Sequence, residues 1–135
     1  MSTRYLLDTN TVSFLIRGAG PRLQQRLRSV QPSATVISAV TEGELLLGLA
    51  RKPQAVTLHR TVHAFLAHVE VLPWGSDAAR CYGVLRARLE SQGLPLGALD
   101  TMIAAHALAA GCTLVTNDQA FSRVDGLVRE DWVSG

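Results

Sequence analysis

Apolar and polar positions along this chain follow two rhythms, short apolar runs and longer stretches at helical spacing. The first run, Arg4-Tyr5-Leu6-Leu7, ends at Asp8-Thr9-Asn10, residues suited to capping a following helix, here predicted from Thr11 to Arg17. Gly18-Ala19-Gly20-Pro21 breaks that helix, and Pro21 opens a second one, Arg22 to Val30, which Gln31-Pro32-Ser33 ends. Ala34 to Ile37 reads as a second strand. Ser38 to Ala50 reads as a helix stopped by Pro53, and Val56 to His68 as another with leucine, valine and phenylalanine on one side. Val69 to Leu72 is the third predicted strand, Ser76 to Gln92 a long helix closed by Gly93, Gly97 to Ala110 a helix closed by Gly111, and Thr113 to Thr116 the fourth strand. A weak fifth strand is expected near Leu127-Val128-Arg129.

Strands that alternate with helices and are apolar on both faces imply an α/β domain, with a central parallel sheet of four to five strands flanked by helices. No repeat, linker or low-complexity segment interrupts the pattern, so residues 1–135 are expected to form a single domain. In such a sheet ligands bind outside the carboxyl ends of the strands, where the strand order reverses. Acids at strand ends are therefore the first candidates for chemistry.

Composition narrows the class. Hydrophobic residues make up 47% and charged residues 18%, which excludes a disordered chain. The uncharged run from Thr101 to Asn117 is shorter than the ~20 apolar residues a membrane span needs, and His106 and Gly111 interrupt it. Met1 to Leu7 reaches Asp8 before the apolar region of a signal peptide could form, so a cytoplasmic protein is expected. Cys81 and Cys112 are not spaced as a metal or redox pair and read as reduced core thiols. The net charge is only +2, and Lys52 is the single lysine. Local distribution says more: Arg17, Arg22, Arg26 and Arg28 fall together, either as a phosphate-holding cluster or as a solvated helix face.

Asp8 follows the first strand and Asp118 the fourth, so both belong at the carboxyl edge of the sheet, where each also suits a simple capping role. Asp100 is the only charged residue between Glu90 and Asp118, in a helix with Leu96, Leu99, Ile103, Ala104 and Ala107 around it. An unpaired carboxylate buried there costs several kcal/mol or takes up a proton. Glu44 lies three residues after Thr41, the spacing of a capping box, and periodicity does not choose between Glu44 and Glu42 as a functional acid. Convergence of such acids is tolerable only with a bound cation or with some of them protonated. All-oxygen ligands select Mg²⁺ or Mn²⁺, and no His/Cys spacing of the zinc type is present. Carboxylate-held Mg²⁺ is equipment for hydrolysing a phosphodiester. His59, His63, His68 and His106 are scattered, and no Ser/His/Asp arrangement is evident. A magnesium-dependent phosphatase, a DNA nuclease and a non-catalytic binding module are the competing readings.

Four segments in order, Leu6-Leu7-Asp8-Thr9-Asn10, Ile37-Ser38-Ala39-Val40-Thr41 through Glu44 to Gly48, Pro95-Leu96-Gly97-Ala98-Leu99-Asp100, and Leu114-Val115-Thr116-Asn117-Asp118 with Phe121, resemble the PIN-domain VapC toxins. The resemblance extends to Glu130-Asp131-Trp132 and so covers nearly the whole chain. It implies a five-stranded parallel sheet and endonucleolytic cleavage of RNA, with a tRNA among the expected substrates. It also implies homodimerisation and inhibition by a VapB-type antitoxin. By the same resemblance Asp8, Glu44, Asp100 and Asp118 are the Mg²⁺/Mn²⁺ acids and Glu44 is chosen over Glu42. Thr116 and Asn117 would be supporting residues, and Thr9 and Asn10 would orient Asp8. Independently of the resemblance, Arg17, Arg22 and Arg26 of the basic cluster are expected at the RNA. The leucine surplus at Leu45, Leu46, Leu47 and Leu49 is expected to serve either the core or a dimer or antitoxin surface.

Overall fold

The computed structural model describes Ser2 to Ser134. Its strands are β1 (Tyr5–Leu7), β2 (Thr35–Ser38), β3 (Glu70–Leu72), β4 (Thr113–Val115) and β5 (Arg129–Glu130), all parallel and ordered β3-β2-β1-β4-β5. The helices are α1 (Thr9–Ile16), α2 (Pro21–Ser29), α3 (Ala39–Arg51), α4 (Val56–His68), α5 (Ser76–Ser91) and α6 (Ala98–Ala110). No helix among the described residues is long and apolar enough to cross a membrane.

The sheet divides two apolar cores. On one face Leu6, Val36 and Leu114 pack with Leu85 and Leu89 of α5 and Ile103, Ala104 and Ala107 of α6. On the other, Leu7, Ile37 and Val115 pack with Val12, Leu23, Leu45, Leu49, Val62 and Trp132. This is the strand alternation of period two, with both faces covered. The central strands β1, β2 and β4 are buried almost throughout. The short outer strands β3 and β5 keep partly or fully exposed residues, as edges do.

Several local expectations shift. Helix α1 begins at Thr9, not Thr11, because Asp8 is its N-cap and accepts a hydrogen bond from the Thr11 N–H at 2.8 Å. Asn10 thus becomes an exposed helical residue. The fifth strand is two residues long, Arg129–Glu130, and so overlaps the expected Leu127 to Arg129 run only at Arg129. A short 3₁₀ turn at Gln119–Arg123, capped by Asp118, was not foreseen. The Cys81 and Cys112 thiols are free, Cys112 buried and Cys81 partly so.

The strand order decides where a ligand belongs. From β1 the chain moves outward to β2 and β3, then crosses back to β4 on the other side of β1. The reversal lies between β1 and β4, whose carboxyl ends lead directly to Asp8 and Asp118.

Candidate metal centre

Asp8 leaves β1 almost fully buried, at 3% exposure. Its backbone N–H bonds the Val115 carbonyl of β4 at 3.0 Å, which fixes it against the neighbouring strand. Its carboxyl is pushed above the usual carboxylate range, chiefly by burial, against the opposing hydrogen bonds of Thr116 and Thr11. The Asp118 charge adds to the upward push. Thr116 ties the two acids together, since its hydroxyl bonds Asp8 and accepts the Asp118 N–H at 3.0 Å. Asp118 in turn accepts the Ala120 N–H at 2.9 Å, so the capping role foreseen for both aspartates is real, yet each remains half-satisfied with oxygen left over. Asn117 is half-buried between Thr116 and Asp118.

Asp100 stands in the first turn of α6, half-buried. Burial raises its carboxyl first, followed by the charges of Asp118, Glu44 and Asp8. The three acids whose charges reach Asp100 come from separate segments of the chain. Glu42 is not among them, and the local reason is visible in α3: Ser38, not Thr41, is its N-cap, accepting the Val40 N–H at 3.1 Å. Thr41 therefore sits inside the helix, and the Thr41–Glu44 spacing is no capping box. The Glu44 carboxylate accepts the Thr9 hydroxyl at 2.6 Å, and Thr9 lies 3.0 Å from the Thr41 hydroxyl. Thr9 thus orients Glu44 rather than Asp8, and Thr11 takes the role expected of Thr9 and Asn10.

None of the four acids is in an ion pair with any described basic residue. Nor do any three His, Cys, Asp or Glu side chains among the described residues stand close enough to form a preformed metal-ligand cluster. The acids feel one another's charge, and Asp8, Glu44 and Asp118 are each held by a hydrogen bond, from the Thr11 N–H, the Thr9 hydroxyl and the Ala120 N–H respectively. As donors they fit a hard divalent cation, since the groups they offer are carboxylate oxygens.

The pattern of acids on this fold meets known proteins directly. The PIN-domain family model matches residues 5–127. The chain belongs to the PIN-domain family. Within it, the VapC proteins are full-length relatives: the "tRNA(fMet)-specific endonuclease VapC" of Shigella flexneri is 35% identical over 130 residues, covering 96% of this chain and 98% of that protein. Among solved structures, VapBC2 of Rickettsia felis bound to a promoter DNA fragment aligns with a TM-score of 0.88 at 30% identity, covering 96% of this chain and 99% of that one. The DNA-bound VapBC of Salmonella typhimurium gives 0.86 at 34%, with 97% and 99% covered.

In this PIN domain the arginines depart from expectation. Arg26 pairs with Glu130 at 3.2 Å and lies over the Trp132 ring at 5.2 Å. Arg22 donates to the Ser134 carbonyl at 2.5 Å, so both clamp the C-terminal segment onto α2 instead of standing free for phosphates. Arg17 stacks over Phe14 at 4.9 Å and lines a cavity with Thr9, Glu44 and Lys52, so it alone of the three borders the acids. Two contributors escaped the sequence reading. Thr11 carried no signal beyond its place after Asp8. His106, one of the four scattered histidines, is buried with its Nδ1 2.7 Å from the Ser38 hydroxyl. Of the surplus leucines, Leu45 and Leu49 enter the core, while Leu46 and Leu47 stay 40% and 49% exposed.

Proposed function

We propose that this VapC-type PIN domain is a metal-dependent endoribonuclease, the toxin half of a VapBC pair, with Asp8, Glu44, Asp100 and Asp118 holding Mg²⁺ or Mn²⁺. The observation that carries the reading is the Asp100 carboxyl, lifted by burial and by the charges of three acids that come from three separate segments. These acids repel one another wherever they are charged together, so the arrangement costs stability unless a cation occupies it. When bound, the ion supplies a polarised phosphodiester and a water of lowered pKa. The chain supplies orientation: Thr11 and Thr116 hold Asp8, Thr116 and the 3₁₀ turn hold Asp118, and Thr9 holds Glu44. Water, not a side chain of the protein, is the attacking group in this proposal.

RNA is the proposed substrate, and the relatives from Shigella flexneri and Salmonella typhimurium named for tRNA(fMet) make initiator tRNA the first to test. The proposed partners are a VapB-type antitoxin and a second copy of the chain. Exposed Leu46 and Leu47, beside buried Leu45 and Leu49 on α3, support a surface that such a partner covers. Residues 1–135 then act as one domain in the cytoplasm. Purified protein free of antitoxin should cut initiator tRNA with Mg²⁺ or Mn²⁺ and stop in EDTA. Equal cleavage in EDTA overturns the reading, and cleavage of DNA alone moves it to a DNA nuclease.

A further inference from the structure

Glu44 and Asp100 come from helices on opposite faces of the sheet's carboxyl edge, and something must set their separation. Helix α3 starts at Ser38, which ends β2, and α6 runs past it carrying His106. Ser38 is fully buried and His106 is 4% exposed. Among the described residues, the His106–Ser38 contact is the one side-chain hydrogen bond that joins α6 to β2 and α3. Ser38 precedes Glu44, and Asp100 precedes His106, by the same number of residues, between about one and two helical turns. The link therefore lies a short rigid lever from each acid.

We propose that His106 is a positioning residue for the metal site: its bond to Ser38 locks the start of α3, which carries Glu44, against α6, which carries Asp100. The proposal rests on the metal-site reading above and deepens it.

Hydrogen-bond bookkeeping sets the roles. The Ser38 oxygen already accepts the Val40 N–H, so its own hydrogen is free to donate to His106 Nδ1. Were Nδ1 the donor, the Ser38 hydroxyl hydrogen would be buried without a partner, at a cost of about 1–3 kcal/mol. Burial also holds the imidazole below its ordinary value, which keeps it neutral and able to accept. The charged groups that share a cavity with His106 are Arg4 and Asp77, and neither is bonded to the ring. A neutral histidine thus acts as a fixed acceptor between the two helices that carry Glu44 and Asp100, the kind of outer partner whose loss costs metal sites affinity.

The test compares Mn²⁺ affinity, read by calorimetry or electron paramagnetic resonance, with thermal melts in EDTA. His106→Leu keeps the volume and removes the acceptor, so Mn²⁺ affinity should fall roughly tenfold or more while the melt stays cooperative. His106→Asn, whose Oδ1 stands near the lost Nδ1, should recover most of it. Should His106→Leu fail to fold, Ser38→Ala removes the donor instead and carries the same expected loss. Wild-type affinity in His106→Leu, or an equal loss in His106→Asn, overturns the positioning role while leaving the metal site intact. Absence of Mn²⁺ binding by the wild-type protein is a separate outcome, which sinks the metal reading and the lock together.

Discussion

Around the carboxyl ends of β1 and β4, four carboxylates share a region and none is in an ion pair, whereas beside β5 the Arg26 guanidinium, the Glu130 carboxylate and the Trp132 ring balance one another. The β5 corner is self-sufficient: Trp132 donates to Glu130 at 2.9 Å, Asp131 accepts the Val133 and Ser134 N–H groups, and Tyr5 packs on Trp132. Its charges are consumed in fastening the end of the chain. The acid corner is held just as firmly, but its hydrogen bonds orient oxygens without neutralising them. Uncompensated charge held in place marks the site, and compensated charge marks a fastening. Arg22 and Arg26, part of what looks like a phosphate cluster in the sequence, are engaged at this fastening once their partners are seen, whereas Arg17 borders the acids.

The comparison breaks most visibly at the acids. Asp100→Asn and Glu44→Gln should each reduce RNA cleavage at least about a hundredfold, the scale on which loss of one charge-stabilising group acts, with the fold retained. Cleavage at the normal rate by either variant removes that acid from the site.

Metal should then distinguish the corners by stability. A saturating divalent ion, near a hundredfold above its dissociation constant, stabilises the folded protein by about 2.7 kcal/mol, visible as a higher Tm than in EDTA. Asp100→Asn should lose most of that rise, and Arg26→Ala should keep it. An equal rise in both variants would mean that the ion binds elsewhere.

The pH dependence has a definite sign. Asp100 and Asp8 have carboxyls raised above their ordinary value of 3.8, so in metal-free buffer the native state binds more protons than the unfolded one just above that pH. Stability from these groups is present below the ordinary value and is lost as pH climbs through the raised one. Asp100→Asn in EDTA should therefore melt higher than wild type at neutral pH, and the gap should close on acidification. A gap that widens as pH falls contradicts the assigned shift.

At the fastening corner, Arg26→Ala removes a largely exposed pair and a ring contact, so a loss of about 1 kcal/mol or less is expected in denaturant melts. RNA affinity and its salt slope should not move. A slope that flattens by about one unit would return Arg26 to the phosphates. The smallest effect belongs to Glu42→Gln, which should leave cleavage and Tm nearly unchanged. Failure of Glu42→Gln alone would mean that the acid of α3 had been misassigned.

Much of this was legible in the chain itself because the signals are local. Apolar runs, breaks at Pro53 and Gly111, and caps at strand ends placed most helices and strands to within a residue or two, and they put Asp8 and Asp118 immediately after strands. The weakest element, β5, is two residues long and leaves almost no periodic trace, so the predicted run met it only at Arg129. What tertiary structure alone decided were the pairings across the chain. The order β3-β2-β1-β4-β5 makes β1 and β4 neighbours and so brings Asp8 beside Asp118. The start of α3 at Ser38 turns Glu44 toward Thr9 and takes away its capping-box role, a choice between glutamates that helical periodicity could not make. Arg26 finds Glu130, and His106 finds Ser38, across separations that no local pattern encodes. Residue type and spacing determine which groups the chain carries and on what element; which charges end up balanced depends on partners brought together only when the sheet closes its two cores.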